Sequence, residues 1–99
     1  MIQRFCFVKL LDAEAPHRAE LAARIRAALG ELAVDASVAL PADASAARWD
    51  LSIVIATATL AAWHALAARP ELVALLADLA TRAAVVKAWT FEAPDADDA

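Results

Sequence analysis

Ile2-Gln3-Arg4-Phe5-Cys6-Phe7-Val8-Lys9-Leu10-Leu11 reads as a β-strand. Alternation puts Ile2, Arg4, Cys6, Val8 and Leu10 on one face and Phe5, Phe7, Lys9 and Leu11 on the other. Both faces are largely apolar, the pattern of a strand covered on two sides. A sheet built around it needs helices on one face and a second cover on the other.

The next segments supply the rest of such a sheet. Asp12 to Pro16 starts a helix, with acidic residues ahead of a proline suited to the first helical position. Leu21, Ala22, Ile25, Ala28 and Leu29 recur at helical spacing, with His17, Arg18, Arg24 and Arg26 mostly off that stripe. Gly30, the only glycine, stands where a left-handed cap is expected. Val34 to Leu40 alternates Val34, Ala36, Val38 and Leu40 against Asp35, Ser37 and Ala39, which suits a strand near an edge. Pro41 stops it, and a small-residue loop over 42–48 follows. Trp49 to Ala56 is a third strand, apolar on both sides.

Thr57 or Thr59 caps a helix running to about Ala68. Arg69-Pro70-Glu71 restarts one with Leu72, Leu75, Leu76 and Leu79 as its apolar stripe. Val85 to Glu92 is the last strand, with Val86, Ala88 and Thr90 facing one way and Val85, Lys87, Trp89 and Phe91 the other. The order βαββ(αα)β, with its second helix broken in two, predicts a ferredoxin-like α+β domain with a four-stranded antiparallel sheet. Residues 1–93 form the domain and 94–99 an acidic, flexible tail. The helices cover one sheet face; Phe5, Phe7, Trp89 and Phe91 fall on the other, so a second copy of the chain is expected there.

Composition narrows the function classes. Ninety-nine residues make one domain with one core. The hydrophobic share is 63%, above the usual ~45–50%; much of the excess is alanine. A net charge of −4 without a basic run argues against nucleic acid as a partner. A single cysteine, Cys6, excludes an internal disulfide and fits a reducing, cytoplasmic setting. Metal-ligand spacing is missing, and no cofactor is expected. Leu51 to Ala68 lacks Asp, Glu, Lys and Arg, near the length of a membrane span. Its β-branched first half, alanine-rich second half and polar Ser52, Thr57, Thr59 and His64 favour a strand, a cap and a helix instead.

The element order and several local stretches resemble the stress-responsive A/B barrel family. The carriers are Phe7-Val8-Lys9-Leu10, Trp49-Asp50-Leu51-Ser52-Ile53-Val54, Arg69-Pro70-Glu71-Leu72 and Val85-Val86-Lys87-Ala88-Trp89-Thr90-Phe91, and the likeness spans about residues 2–92. The resemblance implies a dimeric α/β barrel, two sheets face to face with helices outside. Some members are polyketide cyclases with a pocket between helices and sheet. Where they use a catalytic histidine this chain has Leu72; their tyrosine falls near Leu66, and their first-strand histidine at Arg4. A leucine moves no proton, so that mechanism does not carry over. Related dimeric barrels include cofactor-free monooxygenases, for which no diagnostic constellation is visible.

Arg4, Cys6, Val8, Asp50, His64 and Leu72 are the candidate pocket residues, and Phe5, Phe7, Trp89 and Phe91 the candidate dimer contacts. Arg4 offers an anion contact. An ion pair with Asp50 or Asp35, or a side chain reaching out at the sheet edge, is the stronger expectation. His64, in an apolar helix beside Trp63, reads as a satisfied side chain more readily than as a base. His17 reads as solvated. Cys6 reads as buried and unreactive. Trp49, Trp63 and Trp89 read as core or dimer anchors. Three functions stay open. A homodimer binding a small apolar or aromatic acid leads. The alternatives are a cofactor-free cyclase, isomerase or monooxygenase using Arg4, His64 and Asp50, and an interaction module acting through its dimer surface.

Overall fold

The computed structural model describes residues 1–94; the acidic stretch over 95–99 lies outside the described residues. Strand β1 spans Ile2–Leu10, helix α1 Arg18–Glu31, β2 Asp35–Ala39, β3 Leu51–Thr57, α2 Leu60–Ala67, α3 Pro70–Arg82 and β4 Ala83–Glu92. Short 3₁₀ turns at Ala15–His17 and Ala44–Ala46 precede α1 and β3. The strands form one antiparallel sheet in the order β2-β3-β1-β4, the ferredoxin-like arrangement expected from the element order. The most two-sided apolar strand, β1, is central, and the wetter β2 is an edge.

Register fixes the faces. Val8 pairs with Leu51 and Val86, and Cys6 with Ile53 and Ala88, all on the helix side. Phe5 pairs with Val54 and Trp89, and Phe7 with Ser52 and Lys87, on the open side. The core lies between helices and sheet, where Val8, Leu10, Leu51, Ile53 and Leu72 are essentially inaccessible. Leu21, Ile25 and Leu29 of α1 and Leu72 and Leu79 of α3 complete it.

Local chemistry explains the element ends. The Thr59 hydroxyl accepts from the Ala62 N–H at 3.1 Å and caps α2. Pro70 opens α3, where its missing N–H costs nothing. Helices α2 and α3 meet at a 71° bend. Arg69 at that bend donates to the Leu32 carbonyl at 3.2 Å, satisfying a free acceptor at the end of α1. Arg82 bridges Glu14 at 3.3 Å and Asp78 at 3.1 Å, fastening the end of α3 to the turn before α1.

The structure corrects three sequence expectations. Gly30 is not the left-handed residue: it lies inside α1, and Ala33 takes the left-handed turn with φ of 56°. Helix α1 runs one residue past Gly30, because the reversal is closed by Val34 N–H to Leu29 carbonyl and Ala33 N–H to Gly30 carbonyl, both 3.0 Å. Helix α1 proper starts at Arg18; the segment around Pro16 forms a 3₁₀ turn. Trp49 precedes β3, and its ring leans on Phe7 with centroids 5.8 Å apart. Among the described residues no single helix is long and apolar enough to cross a membrane; the charge-free stretch 51–68 is divided between a strand and a short helix.

Candidate functional site

A cavity of about 290 Å³ lies between the helices and the sheet. Its floor is Cys6, Ile53, Ile55 and Ala88, its roof Trp63 and Ala67 of α2 and Leu76, Leu79 and Ala80 of α3. The exposed Ala80 and Val86 place its opening between α3 and β4. The space exists because three wall positions, Ala67, Ala80 and Ala88, carry only a methyl group. The alanine excess in the composition thus has a local consequence: helices long enough to span the sheet, with side chains too short to fill the gap beneath.

Arg4 is the charged residue in this wall. Its Nη1 donates to Thr90 Oγ1 at 2.9 Å. Its guanidinium carbon stands 5.5 Å from the centroid of the Trp63 ring, a cation–π distance. No carboxylate among the described residues pairs with Arg4. The expected ion pair with Asp50 or Asp35 is therefore replaced by a hydroxyl and an aromatic face. Arg4 sits opposite Ile55, five residues along β3 from Asp50, about 17 Å at strand spacing.

Cys6 lies on the same strand face, half-buried. Burial raises its thiol pKa above the ordinary value, and the nearby Arg4 charge opposes that shift only in part. A thiol in this setting stays protonated at neutral pH and is a poor nucleophile.

The remaining candidates lie elsewhere. Val8 and Leu72 are fully buried in the core and do not line the cavity. Asp50 is 9% exposed at the far end of the sheet. Its Oδ2 accepts from the Leu10 N–H at 2.8 Å, and its Oδ1 pairs with Arg18 at 3.2 Å. His64 is exposed and does not line the cavity. The structure therefore brings Arg4 and Cys6 together and leaves Asp50, His64, Val8 and Leu72 outside the cavity. Sequence reasoning did not assign Trp63 to it, nor Thr90 to Arg4 as its partner. A helical tryptophan on an otherwise small-residue helix was the available signal for the first. Thr90 needed the β1–β4 register, which no local pattern gives. Among the described residues, no group of three or more His, Cys, Asp or Glu side chains is placed to hold a metal ion.

Phe5, Phe7, Trp89 and Phe91 gather on the open sheet face. Phe5 and Phe91 meet edge to face at 5.6 Å, and Phe7 and Trp89 lie 5.9 Å apart. Trp89 is 46% and Phe91 56% exposed in the single chain.

No family model matches the chain, and no curated protein matches it. Solved structures do. A dimeric ferredoxin-like protein of unknown function from Thermobifida fusca aligns with a TM-score of 0.75 at 19% identity, covering 93% of this chain and 90% of its own. A protein from Deinococcus radiodurans, described as a candidate antibiotic biosynthesis monooxygenase, gives 0.73 at 21% identity, covering 97% and 95%. A hydroxynitrile lyase from Passiflora edulis gives 0.73 at 8% identity, covering 91% and 90%. At these identities the likeness is one of fold: the chain has the ferredoxin-like α+β fold that these proteins share.

Proposed function

We propose that the protein is a homodimer that binds a small carboxylic acid with an apolar, planar body in the cavity beneath the sheet. The carrying observation is Arg4, a guanidinium without a carboxylate partner among the described residues, at the wall of an otherwise apolar space. Guanidinium suits a carboxylate because its forked N–H groups match the two oxygens. Trp63 gives the ligand an aromatic wall, and about 290 Å³ sits near the lower end of the ~300–1,000 Å³ range of small-molecule sites. The homodimer is supported by the aromatic open face and by the dimeric state in which similar folds are described. The resemblance to the stress-responsive A/B barrel family points the same way. Catalysed turnover has less support: His64 lies outside the cavity lining, a leucine stands at the cyclase histidine position, and burial raises the Cys6 thiol pKa.

Calorimetry with matched aryl acids and their neutral amides tests this. The acids should bind at least tenfold tighter than the amides, and Arg4→Met should abolish that difference. Ala88→Leu should fill the cavity and remove binding of both. Equal binding of acid and amide, unchanged by Arg4→Met, would overturn the assignment.

A further inference from the structure

One end of the open sheet face is basic. Lys9 stands opposite Val85, and Lys87, opposite Phe7, is its diagonal neighbour on the same face, about 7–8 Å away at the usual strand spacing. Arg48 comes to them from the loop before β3, and the three cations line a hollow of about 310 Å³ with Trp49 and Val85. Local structure holds Trp49 there. Its N–H donates to the Ala46 carbonyl at 3.0 Å, and the Asp50 N–H to the Val8 carbonyl at 2.8 Å, while the ring leans on Phe7. Among the described residues no acid lines the hollow. The acids nearest Arg48 in sequence are engaged elsewhere. Asp43 accepts from the Ser45 N–H at 2.9 Å, and Asp50 accepts from the Leu10 N–H and from Arg18. Among the described residues, none of Lys9, Arg48 and Lys87 has an ion pair or a side-chain hydrogen bond. The chain has 13 acidic residues and nine basic ones, so three cations gathered without an acid run against its charge balance, and cations this close repel one another.

We propose that this hollow binds a small phosphomonoester carrying a flat ring, its phosphate among Lys9, Arg48 and Lys87 and its ring against Trp49. A phosphomonoester holds a charge of about −1.5 to −2 at neutral pH and three acceptor oxygens, enough to engage three separate cations. A carboxylate brings one charge and two oxygens. The cations come from β1, the loop before β3 and β4, so they converge on a compact anion from three sides. Lysine serves phosphate as a point charge and arginine as a fork of donors. An aromatic face stacks a ring without regard to its substituents. A volume of about 310 Å³ is at the lower end of the ~300–1,000 Å³ range of small-molecule sites, room for a phosphate and a ring and little more. The site is on the opposite side of the sheet from the Arg4 cavity and shares no residue with it, so it stands apart from what that cavity binds. It also lies where β1 ends and β4 begins, beside the exposed Arg48. A second copy centred on Phe5, Trp89 and Phe91 has the hollow at its border.

Calorimetry on the full chain with phenyl phosphate, inorganic phosphate and benzoate tests the site. Phenyl phosphate should bind at least tenfold tighter than inorganic phosphate. Lys9→Gln/Lys87→Gln should weaken phenyl phosphate at least tenfold, and Arg48→Gln should weaken it in the same direction, while both leave benzoate unchanged. Lys9, Arg48 and Lys87 are exposed in the single chain, so each variant folds. Arg4→Met and Ala88→Leu, which alter the cavity on the other side of the sheet, should leave phenyl phosphate binding as it is. Equal binding of phenyl and inorganic phosphate would mean an adventitious ion only and overturns the ring-bearing ligand. Phenyl phosphate binding that Ala88→Leu removes and the lysine variant leaves unchanged would belong to the Arg4 cavity and overturns this site. A parent chain that binds no phenyl phosphate overturns it as well, whatever the Arg4 cavity binds.

Discussion

Ala33 holds a left-handed backbone with φ of 56°, three residues after a glycine that spends its freedom inside a helix. For a residue with a Cβ this conformation costs roughly 1–2 kcal/mol. Glycine within a helix costs about 0.5–1 kcal/mol relative to alanine. A Cβ added at Gly30 would meet nothing within 4 Å. The two residues are each in the other's better place. Ala33→Gly should stabilise the fold by about 1 kcal/mol and Gly30→Ala by about 0.5–1 kcal/mol. The double variant should give nearly the sum in urea unfolding. A loss of stability in Ala33→Gly would show that the reversal does not have the left-handed geometry. Sequence located this turn to within a few residues but chose the wrong one. The hydrogen bonds to Leu29 and Gly30 close the helix end, and neither is visible in residue type.

The strands were legible because their faces are written in parity. Ile2, Arg4, Cys6 and Val8 kept together, as did Val86, Ala88 and Thr90, and the two sets proved to share the helix side. Strand pairing carried what parity did not. Asp50 looked like a pocket acid and is a clamp: the β1–β3 pairing ends at Val8 and Leu51, and the Asp50 carboxylate takes the Leu10 N–H left beyond it. It also ties Arg18, at the start of α1, to β3. Asp50→Ala strands a buried N–H, which costs about 1–3 kcal/mol, and removes a half-exposed ion pair worth at most about 1 kcal/mol. A loss of about 2–3 kcal/mol in urea unfolding is expected, with Asp50→Asn recovering most of it by keeping an acceptor for Leu10. A cost below about 0.5 kcal/mol for Asp50→Ala would mean the end of the β1–β3 pairing holds without the carboxylate.

The whole molecule has a core on one side of its sheet only. The helices bury Val8, Leu51 and Ile53, while Val85, Trp89 and Phe91 on the opposite face remain between 38% and 56% exposed in the single chain. A contiguous aromatic surface of this kind marks an interface. A small domain with one-sided burial also has a thin margin of stability by itself. Both features have one thermodynamic consequence: if the second copy supplies the missing cover, folding and association are a single equilibrium, and stability depends on protein concentration. Each tenfold rise in concentration then adds about 1.4 kcal/mol per dimer, which moves a melting midpoint of a dimer this size up by about 3–5 °C. Trp89→Asp places a charge in the middle of the face and should give a monomer that melts earlier, at a midpoint independent of concentration. Calorimetric scans across a hundredfold concentration range separate the cases. A parent chain whose midpoint does not move, and which Trp89→Asp leaves unchanged, would show that the helices and one sheet face suffice to hold this fold.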